Sequence, residues 1–119
     1  MANKTIDQLR AAHALKHIKN LQCDRSKVVS YASSLPTMLL TNGLGQTVAF
    51  CMGKSEQEYK ELIRMLDDWL RSPGRPYAGS KSLLDAITEH DMKRYMLAQT
   101  EALAYLTWVK KLAKALEEV

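Results

Sequence analysis

The tightest constraint on the fold lies in residues 35–50, LPTMLLTNGLGQTVAF, where two apolar, helix-like stretches flank Asn42-Gly43-Leu44-Gly45-Gln46. Asn and Gly tolerate the left-handed conformation that ends a helix, so Asn42-Gly43 reads as a C-terminal stop. Gly45, lacking a Cβ, lets a following helix over Gln46–Met52 pass close to its neighbour. The segment is a corner between two packed helices and carries no reactive group.

The rest of the chain keeps the helical period. Thr5-x-x-Gln8 is a capping box that opens a helix to about Gln22, because the Thr hydroxyl and the Gln amide satisfy free amides of the first turn. Ile6, Ala11, Ala14, Leu15, Ile18 and Leu21 share one half of this helix, with Lys16 and Lys19 opposite. Ser26 starts a second helix, and Pro36, which has no amide to donate, is expected to kink or restart it. Gly53 closes the helix after the corner. Ser55-x-x-Glu58 reads as a second capping box, opening a helix to about Arg71 with an apolar stripe of Tyr59, Leu62, Ile63, Leu66, Trp69 and Leu70. Residues 72–80, SPGRPYAGS, hold two prolines and two glycines and form a loop. Ser82–Glu89 is a short helix, and Asp91 caps a long last one reaching about Glu117. No segment reads as a strand. The expectation is an all-α fold, a compact bundle of about six helices with a long C-terminal helix, making one domain over residues 1–119.

Lys and Arg number 17 against 13 Asp and Glu, a formal charge of +4 that permits a polyanionic partner without demanding one. Its distribution says more. From Met1 to Lys54 the only acids are Asp7 and Asp24, whereas acids gather from Glu56 to Asp91 and lysines return at Lys110, Lys111 and Lys114. Such segregation favours one basic and one acidic face. No run approaches the roughly 18 apolar residues of a membrane span, and the opening MANKTIDQ lacks the apolar core of a signal peptide. Cys23 and Cys51 have no metal-like spacing, so the expectation is reduced thiols in a cytoplasm.

Catalytic constellations are missing from the pattern. Gly43-Leu44-Gly45 follows a helix rather than a strand and lacks the ending of a phosphate-binding loop. Asp67 and Asp68 are neighbours on a helix and point about 100° apart, an arrangement suited to a solvated face. Ser, His and Asp are scattered without an activating motif. His13 and His17 lie one helical turn apart and can offer two nitrogens to a metal, but a site needs further ligands that the sequence does not place. The expectation is therefore no enzyme, no cofactor, no metal and no small-molecule substrate.

The last helix is more informative. Met92, Tyr95, Met96, Ala102, Leu103, Leu106, Val109, Ala113 and Leu116 make an apolar face that Leu97, Tyr105, Trp108 and Leu112 extend around the circumference. An amphipathic surface helix needs an arc only about 100° wide. Two readings stand: the helix runs through the bundle centre, or Tyr105 and Trp108 face another protein. The remaining arc carries Lys93, Thr100, Thr107, Lys111 and Lys114, with Lys110 at its margin and no acid before Glu118. That arc is either a solvated face or a match for a phosphate backbone, which lysines neutralise and hydroxyls hydrogen-bond without reading bases. In the loop, Arg75 and Tyr77, flanked by Arg71 and Lys81, belong either to a plain connector or to a contact with RNA or an adjacent subunit.

The Asn42–Gln46 corner, together with the run Glu101–Ala115, EALAYLTWVKKLAKA, resembles the small all-helical subunit of the type III-B CRISPR effector, the Cmr complex; the resemblance covers nearly the whole chain. It implies a structural subunit acting in antiviral defence. In that family small helical subunits stack along the assembly beside the backbone subunits that hold the guide RNA, and they line the groove where target RNA pairs with it. Cleavage and nucleotide cyclisation belong to other subunits. The resemblance therefore implies as partners other subunits of the complex, copies of the chain itself, guide RNA and single-stranded target RNA. Lys110, Lys111 and Lys114 are then the first candidates for RNA contact, with Lys93 on the same arc, and Lys16, Lys19 and Lys54 follow. Tyr105, Trp108, Arg75 and Tyr77 are candidates for a subunit interface. A helical adaptor whose basic patch binds an acidic protein is the alternative.

Overall fold

A computed structural model describes residues 3–117. Six helices follow in order: α1 (Ile6–Lys19), α2 (Arg25–Asn42), α3 (Leu44–Met52), α4 (Gln57–Leu70), α5 (Leu83–Glu89) and α6 (Met92–Ala115). There is no strand among the described residues. The long α6 lies along α1 and α2 and also touches α3 and α4.

The first and last helices begin as their sequences dictate. Thr5 Oγ1 accepts from the Gln8 amide and Gln8 Oε1 from the Thr5 amide, a complete capping box. Asp91 Oδ1 accepts from the Arg94 amide at 2.9 Å. The two middle starts differ from expectation. α2 starts at Arg25, one residue before the expected Ser26, and Asp24 caps it, with Oδ1 accepting from the Ser26 and Lys27 amides. The expected box at Ser55-x-x-Glu58 does not form: α4 starts after Glu56 with no side-chain cap. Glu58 is instead buried and accepts from the Asp24 amide at 3.1 Å, fastening the start of α2 to α4. A carboxylate one turn into a helix can satisfy a neighbour's backbone when packing brings it closer than its own N-cap.

Pro36 does not restart α2, which runs unbroken through it. An interior proline costs about 3 kcal/mol. Val28, Ala32, Leu35 and Leu39 are buried along one side of the same helix, and each large aliphatic group contributes about 1.5–3 kcal/mol. Burial outweighs the missing hydrogen bond.

The corner turns at Gly43, with φ 87° and ψ 167°, a region essentially restricted to glycine. α3 starts at once, at Leu44 rather than Gln46. Its exposed first-turn amides are satisfied from α6: Leu44 N–H donates to Gln99 Oε1 and Gly45 N–H to the Tyr95 hydroxyl, both at 2.9 Å. Gly45 is not the close-approach residue its position suggests. A Cβ there would meet Ile87 Cγ2 at 3.4 Å and the Tyr95 hydroxyl at 3.6 Å, which is ordinary contact.

The α4 stripe is buried as its period predicts, with Met65 added. The expected α6 face holds from Ala102 onward, where Ala102, Leu106, Val109 and Ala113 are buried, and fails in the first turns, where Met92, Met96 and Leu97 are exposed. The buried residues of α6 are Ala98, Ala102, Tyr105, Leu106, Val109 and Ala113, whereas Met92 and Met96 are 77% and 60% exposed. Met96 precedes Ala102 by six residues, about 120° around the helix. Small alanines bring α1 and α2 close to α6, and the large flexible methionines are left on the outer side.

Candidate nucleic-acid interface and the polar seam beneath it

The outer arc of α6 carries Lys93, Lys110, Lys111 and Lys114, all exposed. Thr100 is exposed with them, and Thr107 is half-buried, its hydroxyl donating to the Leu103 carbonyl. No acid lies within ion-pair distance of Lys93, Lys110 or Lys111 among the described residues. Lys114 differs: its Nζ donates to Glu117 at 3.1 Å, so the row meets an acid one residue before Glu118. An exposed pair of this kind is worth about 0–1 kcal/mol and yields readily to a competing anion.

Two shallow clefts flank this arc. One, of about 290 Å³, is lined by Asp7, Ala104, Thr107, Trp108 and Lys111. The other, of about 400 Å³, is lined by Gly74, Arg75, Pro76, Arg94, Leu97, Thr100 and Glu101. Each contains an acid whose charge is engaged. Asp7 accepts from Trp108 Nε1 at 2.9 Å and from Arg10 at 3.1 Å. Glu101 accepts from Arg10 Nε at 2.5 Å, Arg10 Nη2 at 2.9 Å and Trp69 Nε1 at 2.9 Å. The hydrogen bond from Trp108, opposed by slight desolvation and reinforced by Arg10, holds the Asp7 carboxyl below its usual range. Burial pushes Glu101 upward, but the hydrogen bonds from Arg10 and Trp69 and the charges of Arg10 and Arg75 outweigh it and leave Glu101 lowered. The first cleft thus keeps Lys111 at its rim without an ion-pair partner among the described residues, and the second carries Arg75 and Arg94, neither within ion-pair distance of an acid there. Arg94, which the apolar period of the helix does not single out, is exposed, and its guanidinium donates to the Pro76 carbonyl at 2.8 Å. The adjoining Lys93-Arg94 doublet was its sequence signal.

The second group of lysines is not brought into this arc by any contact among the described residues. Lys16 and Lys19 are exposed on α1, with Lys16 about 160° around the helix from buried Ala14. Lys54 follows α3, its ammonium 4.7 Å from the centroid of the Phe50 ring.

The four residues singled out for a subunit contact separate cleanly. Tyr105 and Tyr77 are completely buried and offer no surface to a partner. Tyr105 stacks on Trp69 at 5.5 Å between centroids, and its burial drives the phenol pKa far upward. Tyr77 folds the loop inward: its amide donates to the Leu70 carbonyl at 2.9 Å and its ring stacks on His90. Burial raises the Tyr77 phenol to about 12. A loop of two prolines and two glycines concealed a core anchor, because loop composition says nothing about where one aromatic side chain points. Arg75 and Trp108 remain at the surface. Arg75 lies over the Trp69 ring at 5.2 Å, and Trp108 packs on the core while walling the first cleft.

Beneath the clefts runs a polar seam between α1, α4 and α6 that the sequence did not announce. Besides the Arg10–Glu101–Trp69 cluster, it contains His13, whose Nδ1 lies 2.6 Å from the Tyr105 hydroxyl and Nε2 2.7 Å from Asp68 Oδ2. His17 Nε2 stands 3.6 Å from the same carboxylate oxygen. Asp68 thus joins His13 and His17, a third donor from another helix where the sequence offered only two.

Comparison with known proteins agrees with this architecture. Residues 6–116 match the family described as CRISPR-associated protein (Cas_Cmr5). The structure is similar to the X-ray crystal structure of a CRISPR-associated Cmr5 family protein from Thermus thermophilus. The TM-score is 0.80 at 24% identity, over 98% of this chain and 100% of that one.

Proposed function

The chain belongs to the CRISPR-associated Cmr5 family, and from that premise we propose that it is a structural subunit that stacks in a Cmr-type effector and holds RNA by its phosphate backbone. The partners in this reading are the other subunits of the complex, further copies of the chain, and the guide and target RNA; the setting is antiviral defence in the cytoplasm. The whole chain, 1–119, acts as one domain, without catalysis of its own. The observation that carries the reading is the outer arc of α6. Lys93, Lys110 and Lys111 stand free of acids among the described residues, Thr100 and Thr107 lie between them, and the two adjacent clefts have their carboxylates already paired. Cations and hydroxyls without base-reading amides suit an RNA held irrespective of sequence. Arg75 and Trp108, half-buried beside the clefts, are the residues through which a neighbouring subunit meets this one.

One subunit offers three or four phosphate contacts at about −0.7 in log–log salt slope each, giving a slope of roughly −2 to −3. That is weak alone. Stacked copies turn later contacts into local ones and gain by avidity. The test is Lys111→Glu combined with Lys114→Glu in the reconstituted complex. Assembly should be normal, target RNA affinity should drop for unrelated sequences with matched guides alike, and the salt slope should flatten. Unchanged affinity and slope in a normally assembled mutant complex refutes RNA holding by this face.

A further inference from the structure

The seam between α1 and α4 gathers three side chains with metal-binding chemistry. His13 and His17 lie one turn apart on α1 and aim their Nε2 atoms at one oxygen of Asp68 on α4, at 2.7 and 3.6 Å. One donor atom from each residue can be chosen so that all three lie within 4.8 Å of one another. The two imidazoles stack, with centroids 4.3 Å apart and an interplanar angle of 29°. We propose that His13, His17 and Asp68 form a three-ligand site for one divalent cation of the zinc class, clipping α1 to α4 and leaving a coordination position open to solvent.

Two of the three donor separations bracket that of a zinc site. Zinc bonds of about 2.0–2.1 Å in a tetrahedron place neighbouring donors about 3.3 Å apart. The His13–Asp68 separation lies below that value and the His17–Asp68 separation just above it. Asp68 is 60% exposed, so its carboxylate has room to withdraw from His13 and admit an ion between them. His13 is held from behind: the fully buried Tyr105 hydroxyl sits 2.6 Å from Nδ1. A hydroxyl can donate or accept. It can therefore accept a hydrogen bond from Nδ1–H and leave the Nε2 lone pair directed at the metal, as supporting partners do for ligating histidines.

The donor set selects the ion. Two imidazole nitrogens and one carboxylate oxygen suit zinc, nickel or copper(II), whereas magnesium and calcium take oxygen ligands. Nearby cations are Lys16 on α1, Arg64 on α4 and Arg71 at its end; Arg64 is paired with Glu61 and Arg71 with Asp67. Asp68 is exposed, so water or a carboxylate of an adjoining subunit can supply a further ligand.

Titration calorimetry of the chelator-treated full chain with zinc chloride at pH 7.5, with magnesium chloride as control, tests the site. One zinc per chain and no magnesium binding are expected. His17→Ala and Asp68→Asn, both outside the apolar core, should keep native circular dichroism and lose zinc binding. Tyr105→Phe should retain the ligands yet weaken zinc by about 10–100-fold. In NMR spectra zinc should move the ring signals of His13 and His17 and leave those of His90 in place. The proposal fails if zinc does not bind stoichiometrically, if both surface variants bind it as tightly as the wild type, or if His90 is the ring that responds.

Discussion

The Tyr95 hydroxyl accepts the Gly45 amide at 2.9 Å across 50 positions of sequence. With Gln99, which accepts the Leu44 amide, it does for α3 what an N-cap side chain does for other helices. Gly43 has no side chain with which to cap, and its backbone angles admit no other residue comfortably. One helix end is therefore completed by a neighbour's side chains. Tyr95→Phe should leave the Gly45 amide unpaired and cost about 1–3 kcal/mol in urea denaturation.

The two glycines of the corner should respond oppositely to alanine. Gly43→Ala meets a positive φ and should lose about 1–3 kcal/mol. Gly45 is helical, without positive φ, and a Cβ there makes only ordinary contacts. Gly45→Ala should gain about 0.4–1 kcal/mol by restricting the unfolded chain. Equal losses at both sites by thermal or chemical denaturation would contradict this assignment.

Tyr105 and Trp108 lie three residues apart but have different duties. Tyr105 is completely buried, and Tyr105→Ala should cost about 3–5 kcal/mol, the range of large aromatic truncations in cores. Trp108 is half-buried, its indole tied to Asp7 at the wall of a cleft. Trp108→Ala should cost less, about 1–3 kcal/mol, because part of the ring already meets water. It should nevertheless impair incorporation into the complex, read by co-purification with the other subunits.

Glu101 should give the fold a measurable acid sensitivity. Its pKa in the folded state lies below the ordinary 4.5. A carboxylate shifted this way stabilises the fold above its unfolded value, and that contribution is lost as pH falls through the folded one. Wild-type stability should therefore decline below about pH 4.5 more steeply than that of Glu101→Gln. At pH 7 the same substitution should cost about 1.5–3 kcal/mol, since Arg10 and Trp69 lose a charged acceptor. Parallel pH profiles for the two proteins would count against the shift.

What the sequence could convey was one helix at a time. The α4 stripe, the caps at Thr5 and Asp91 and the glycine stop at Gly43 all follow from residues within a turn or two of one another. The resemblance of the corner and the C-terminal run to the Cmr small subunit also held, because both lie within continuous helical segments and the corner between them. Periodicity cannot tell which helix faces which. Glu58 therefore reads as a cap for its own helix when it serves Asp24, and Asp67-Asp68 reads as a solvated pair when Asp68 reaches two histidines on α1. Met92 and Met96 read as core because residue type alone sets their hydrophobicity. Packing instead favours Ala98 and Ala102, whose size lets neighbouring helices close in.

Lys114 and Lys111 should not contribute equally to RNA. Lys111 lines a cleft and has no ion-pair partner among the described residues, whereas Lys114 is shared with Glu117. A phosphate approaching Lys114 must displace that carboxylate, which opposes the gain from releasing a counterion. Lys111→Glu alone should therefore reduce affinity for single-stranded RNA more than Lys114→Glu alone. Glu117→Gln should free Lys114, raise affinity at low salt and steepen the log–log slope by up to about 0.7, the weight of one phosphate contact on a single strand. Lys16→Glu with Lys19→Glu should leave the slope of the isolated chain unchanged, because α1 turns these residues away from its own core-facing side and no described contact joins them to the α6 arc. Filter binding at four or five salt concentrations with one homopolymeric RNA resolves all four variants. A slope that responds to Lys16 and Lys19 but not to Lys111 would overturn the proposed RNA contact on α6 in favour of α1.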